Sequence, residues 1–291
     1  MAIIAIGYLL KRTKLLSKQE GQTLNKIILN VTLPALILTT FANMTVEPQL
    51  LLLSLICIVY GLLMLFLGRV FFTKIKRVDQ GVLTLSLLGF NIGLFAYPFV
   101  EGIWGAEGLK YMALFDMGNA FIIFGLAYIV AIFYAPEKKE ISIKFIAFKM
   151  ATFIPLVSYF LALTISFTPV TLPAFTIDIL GFISSANAVL VLLVLGIYLE
   201  FSFDKALVKP FLKALSLKYV SGLSLGIILF FILPFDELFR ATVLLGLVLP
   251  TGMAIIPYAV QNQLNDQIAG GIVNITNIIS FLIMWVIFLV I

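Results

Sequence analysis

Apolar residues come in long unbroken runs, and the polar and charged residues gather in the gaps between them. This pattern predicts ten helices: 1–10, 22–43, 49–72, 80–105, 108–134, 144–167, 177–199, 215–233, 240–261 and 267–291. Nine of these runs last about twenty residues, the length of helix that crosses a bilayer core of about 30 Å. A transmembrane β-barrel would instead show short segments of strict alternation. The first run is different. Met1 to Leu10 gives only about 15 Å of helix before Lys11 and Arg12, and it reads as the clipped start of a longer span.

Two of the runs carry residues that weaken a helix. In the fourth, Leu88 to Pro98 contains Gly89, Asn91, Gly93 and Pro98. Gly costs a helix about 1 kcal/mol and Pro about 3 kcal/mol relative to Ala. In lipid, a broken backbone is tolerated only where it faces protein or a watery cavity. The stretch is therefore expected to be the unwound middle of a discontinuous helix. The ninth run repeats the pattern. Gly93-x-x-x-x-Pro98 overlays Gly252-x-x-x-x-Pro257, and at nearly the same offset Asp116-x-x-Asn119 overlays Asn274-x-x-Asn277. These matches divide the chain into two five-helix repeats, 1–134 and 135–291. An odd helix number inverts the second repeat relative to the first. Paired interruptions in two halves point to a transport site; the competing reading is chance, since Gly and Pro are frequent in membrane helices.

Charge then orients the spans. Seventeen of the nineteen Lys and Arg fall in alternate gaps, and only Lys110 and Arg240 fall on the other side. The positive-inside rule places the seventeen in the cytoplasm, with both termini outside the cell membrane. Glu200 is assigned to the cytoplasmic edge by the same count. Of the 291 residues 62% are hydrophobic and only 11% charged, against about a quarter charged in soluble domains. The net charge of +5 is thus a topology signal next to a bilayer, and nucleic acid is not an expected partner. The chain has no histidine and one cysteine, Cys57. This excludes histidine-based triads, HExxH zinc sites and an intrachain disulfide. No enzyme, cofactor or metal site is expected.

The remaining chemistry is sparse. No Lys or Arg falls in the middle of any predicted span. Positive potential for an anion would then come from helix N-termini, with Pro98 and Pro257 each starting a half-helix. Asn91, Gly93, Pro98, Thr251, Gly252 and Pro257 are the expected substrate-binding residues. Asp116 is the one acid well inside a span, where an ionised carboxylate is costly. With Asn119 one turn on and Asn274 and Asn277 in the second repeat, it is the candidate site for a proton or a sodium ion. The bland alternatives are packed kinks at the prolines and helix-bridging hydrogen bonds at Asp116 and the asparagines. Asn30 and Thr32 precede Pro34 in a further expected kink.

Gly7-Tyr8-Leu9-Leu10-Lys11-Arg12, Leu24-Asn25, Asn30-Val31-Thr32-Leu33-Pro34-Ala35-Leu36 and Asn91-x-Gly93-x-x-x-x-Pro98 resemble the auxin efflux carrier family, and the likeness extends over nearly the whole chain. The resemblance implies an all-α, ten-helix inverted 5+5 repeat related to the bile acid/sodium symporters. It implies crossing discontinuous helices 4 and 9, elevator-like alternating access and a homodimer. The family's proline before the glycine at 196 is replaced here by Ala188-Val189. A compact bacterial permease is the nearer likeness, since no long loop joins helices 5 and 6. The expected function is secondary-active transport of a small organic anion, such as a mono- or dicarboxylate, across the cell membrane. A non-transporting solute sensor is the rival.

Overall fold

The computed structural model describes residues 2–42, 46–137, 140–168, 172–199 and 208–290. The expectations for Lys138, Lys139, Glu200 and Lys205 lie outside the described residues. The helices in chain order are α1 (Ala2–Arg12), α2 (Lys18–Ile27), α3 (Leu33–Ala42), α4 (Leu52–Phe71), α5 (Arg77–Leu87), α6 (Tyr97–Ala120), α7 (Tyr128–Tyr134), α8 (Ile143–Thr152), α9 (Ile154–Ser166), α10 (Ala174–Ser185), α11 (Asn187–Tyr198), α12 (Val208–Ile232), α13 (Glu237–Leu247), α14 (Ile255–Gln261) and α15 (Asp266–Val290). The protein is all-helical, and every apolar run named above falls on one or two of these elements.

Among the described residues, six helical stretches are long and apolar enough to cross a membrane, and the α8–α9 pair, bent by 67°, would make a seventh. The bend follows from Pro155 at the start of α9, which favours the first turn of a new helix. Residues 92–134 form one helical run of two expected spans. They part at Gly105, whose φ of 61° and ψ of −150° break α6. That break falls on the last residue of the span expected at 80–105, just before the one expected at 108–134.

The chain forms two compact units, each drawing segments from both halves of the sequence. The first unit comprises residues 1–51, 92–114 and 151–200. In it α1 packs along α11, and α3 packs on α9 and α10. The α1–α11 approach is close because both helices present glycine. A Cβ built on Gly7 would lie 2.3 Å from the Leu193 carbonyl oxygen, and one on Gly196 would lie 2.1 Å from that of Ile4. Small residues that let helix backbones touch are a common way to associate helices in lipid. The kink expected near Pro34 is a π-helical turn over Ile28–Thr32. Thr32 Oγ1 donates to Asn187 Oδ1 at 2.8 Å, in the interior of the unit. Asn187 opens α11, directly after α10 ends at Ser185, so the seventh predicted span is interrupted without a proline.

The second unit comprises residues 52–91, 115–150 and 201–291. Around α5 it gathers α4, α7, α12, α14 and α15, while α13 packs on α4 and α12. The buried Val82, Leu83, Leu85 and Leu87 of α5 form its centre. Gly118 rests on the Ser54 carbonyl, and Gly222 on that of Leu247; a Cβ at either would lie 2.3 Å from that oxygen. This unit also contains two non-helical stretches, and the candidate site is built from them.

Candidate functional site

Helix α5 ends at Leu87, and Leu88 is already extended. Gly89 takes a φ of 72°. That left-handed conformation costs an L-residue with a Cβ about 1–2 kcal/mol, and Gly pays none of it. The chain runs extended through Phe90 and Asn91 before it re-enters a π-helical turn at Ile92. In the other stretch, α13 ends at Leu247 and α14 does not begin until Ile255. Pro250 falls in this gap and can supply no N–H to a continuing helix.

The two gaps pair with each other. Phe90 and Thr251 form an antiparallel β-bridge. Asn91 N–H donates to the Pro250 carbonyl at 2.9 Å, and Gly252 N–H donates to that of Gly89 at 3.4 Å. This pairing partly answers the requirement that buried backbone groups find partners.

Side chains supply the rest. Asn119 works in both directions: its Oδ1 accepts from Phe90 N–H at 2.7 Å, and its Nδ2 donates to the Phe90 carbonyl at 3.0 Å. The same Nδ2 donates to Asp116 Oδ1 at 2.9 Å, so the acid and the clamp form one network. On the opposite stretch, Thr276 Oγ1 accepts from Thr251 N–H at 3.2 Å. Thr251 Oγ1 donates to the Ser86 carbonyl at 2.8 Å, tying its stretch to the end of α5. Ser280 Oγ donates to the Val248 carbonyl at 2.7 Å, and Tyr219 hydroxyl donates to that of Thr276 at 3.0 Å. Helices α6 and α15 thus each present a polar side chain to one gap.

The structure brings together Asn91, Thr251, Gly252, Asp116 and Asn119 of the expected site. Asn91 is buried, and its Nδ2 has no hydrogen-bond partner among the described residues. Asn277 is buried beside Thr276 in sequence, and its Oδ1 is likewise unpartnered. Asn274 is half-buried and donates to Gly270 of its own helix at 3.2 Å. Gly93 and Pro98 belong to the first unit, where Gly93 faces Leu33. Pro257 is exposed on α14.

Two expectations need correction. The helical turns restart at Ile92 and Ile255, not at the prolines. Pro98 is the second residue of α6 and Pro257 the third of α14. Proline fits anywhere in a first turn, where its missing N–H has no partner to lose, so it marks the restart only to within a few residues. The second correction is larger. The chain does place a lysine in the interior of a span. Helix α12 starts at Val208, seven residues before the expected start, so Lys218 lies well inside it. Lys218 is 1% exposed, and its Nζ lies 4.6 Å from the centre of the Phe90 ring. Tyr60 stacks on the same ring with centroids 5.9 Å apart, and Phe115 tilts against it at 5.9 Å. Lys218 is the residue that pattern reading passed over, while Thr276 lies within the expected polar patch of Asn274 and Asn277. The signal for Lys218 was its setting, with Leu215, Leu217, Tyr219 and Val220 around it rather than a loop composition.

The comparisons with known proteins agree with a transport role. The family model described as membrane transport protein matches residues 1–288. An uncharacterised transporter of Methanothermobacter thermautotrophicus is 27% identical over 294 residues, covering 96% of this chain and 92% of that protein. An uncharacterised transporter of Methanocaldococcus jannaschii is 27% identical over 210 residues, covering 69% of this chain and 67% of that protein. With its membrane-spanning helices and paired interruptions, the chain belongs to the membrane transport protein family, the family of the auxin efflux carriers.

Proposed function

We propose that this multi-pass membrane protein is a secondary-active permease of a small organic anion, such as a mono- or dicarboxylate, in the cell membrane. The observation that supports the reading is the paired gap at Phe90 and Thr251. Two helix interruptions paired with each other suit the way membrane transporters hold solutes at discontinuous helices. The unpartnered donor of Asn91 beside the pairing suits a ligand rich in acceptor oxygens. Asp116, wired to the gap through Asn119, is assigned the coupling proton or sodium ion. Alternating access proceeds by an elevator-like movement within a homodimer, and the two inverted repeats, 1–134 and 135–291, generate the two interrupted helices.

The test is uptake into proteoliposomes of a panel of labelled mono- and dicarboxylates, run with and without proton and sodium gradients. Saturable, gradient-dependent flux of at least one acid is expected. Correctly folded protein that moves none of them refutes the anion reading; binding without flux identifies a solute sensor instead. In the same vesicles Asp116→Asn is expected to abolish the dependence of flux on the coupling gradient. Unchanged dependence removes Asp116 from the coupling role.

A further inference from the structure

Lys218 has no hydrogen-bond partner for its ammonium among the described residues. This is unusual for a side chain with a long flexible stem, which ordinarily carries its charge out to water or headgroups. An isolated charge taken out of water is among the costliest features a protein can build, and it is retained where it serves a purpose. Here the ammonium is held over Phe90, an arrangement in which the ring's electron-rich face offsets part of the lost hydration.

Phe90 is also the residue paired with Thr251. The buried amino group is therefore fixed beside the crossing itself, where the field of a positive charge would be weakly screened by surroundings of low dielectric. Asp116, the acid of this interior, is engaged with Asn119 at 2.9 Å. Tyr60, which stacks on Phe90, is bonded through its hydroxyl to Ser221 at 3.1 Å and to the backbone of Lys218 itself at 3.4 Å. Cys57 is a buried free thiol. Among the described residues none hydrogen-bonds the Lys218 Nζ. Asn91 Nδ2 at the crossing also lacks an acceptor among the described residues.

We propose that Lys218 is the residue that makes this site select an anion: a fixed positive charge under Phe90 that attracts the substrate carboxylate to the Phe90–Thr251 crossing. The inference rests on the organic-anion reading above and names the charge that reading lacked. Its test uses the full chain in proteoliposomes with labelled malonate, malate and succinate as probes and the corresponding diamides as uncharged competitors. Lys218→Met keeps the length of the side chain and removes the charge. It is expected to raise KM for a transported acid at least tenfold, with the maximal rate within about threefold of the starting protein. It should also erase the preference for the acid over its diamide. Lys218→Arg is expected to restore both.

Unchanged KM in Lys218→Met overturns the proposal, and so does equal impairment of the Met and Arg variants. If Lys218→Met and Lys218→Gln both fail to fold while Lys218→Arg folds, the cation is structural and the proposal also falls. Absence of flux for every acid in the unsubstituted protein refutes the organic-anion reading and this inference with it. Flux that survives charge removal with an unchanged KM refutes this inference alone.

Discussion

At the scale of single residues, Asn119 shows how much a broken helix depends on one side chain. Its carboxamide satisfies both the N–H and the carbonyl of Phe90 while bonding Asp116. Truncation would leave a buried donor and acceptor unmet, at about 1–3 kcal/mol each. Asn119→Ala is therefore expected to lower the melting temperature in detergent more than Thr276→Val, which strands only the N–H of Thr251. Equal losses in the two variants would show that Phe90 recovers partners elsewhere. Asp116 and Asn119 could be picked out in advance because polar residues are rare inside spans. Thr276 drew less attention because threonine so often bonds its own helix, as it also does here to Ile272 at 2.8 Å. The hydroxyl serves both purposes, and only coordinates reveal the second.

The interruptions belong to the scale of elements. Gly89 is required twice over, by its φ of 72° and by Ile123, whose Cγ1 would lie 2.4 Å from an added Cβ. Gly89→Ala should cost about 1–2 kcal/mol for the backbone conformation and about 1–3 kcal/mol for overpacking. Adding Ile123→Ala, which removes that Cγ1, should recover part of the second loss and none of the first. A thermal-melting cycle over the two single variants and the double variant measures the division; full recovery in the double variant would deny the backbone share. Hydropathy marked the helical regions, because an apolar run about twenty residues long has few other uses. It could not place the gaps to the residue. Their limits are set by pairing between segments far apart in sequence, Phe90 with Thr251, while the prolines only permit a restart. The early start of α12 was hidden for a related reason: Lys209 and Lys213 look like loop residues, and the helix continues through them.

For the whole molecule, the proposed repeats and the compact units divide the chain differently. The proposed repeats, 1–134 and 135–291, would be successive, whereas each unit takes segments from both halves of the sequence. Such interleaving places the two gaps around Phe90 and Thr251, one from each half of the sequence, in a single unit. Membrane orientation is a separate property, carried by the distribution of Lys and Arg. In a Cys57→Ala background, Glu101→Cys is expected to react with an impermeant maleimide in intact cells, and Lys76→Cys only after permeabilisation. Both positions are exposed, so access to the reagent depends on the side of the membrane. The reverse labelling pattern would invert the assigned topology.

The Asn119 clamp has one more consequence. A single side-chain amide offers Phe90 the same donor and acceptor that a neighbouring β-strand would, so it acts as a one-residue strand substitute. With Thr251 on the other side, Phe90 lies in a miniature sheet whose outer edge is a carboxamide on a helix. The shape of the gap is thus encoded partly in a neighbouring helix. Engineering a different cavity here would begin at position 119, where Leu of nearly equal size cannot do the work because it offers neither donor nor acceptor, and an ionised Asp offers acceptors alone.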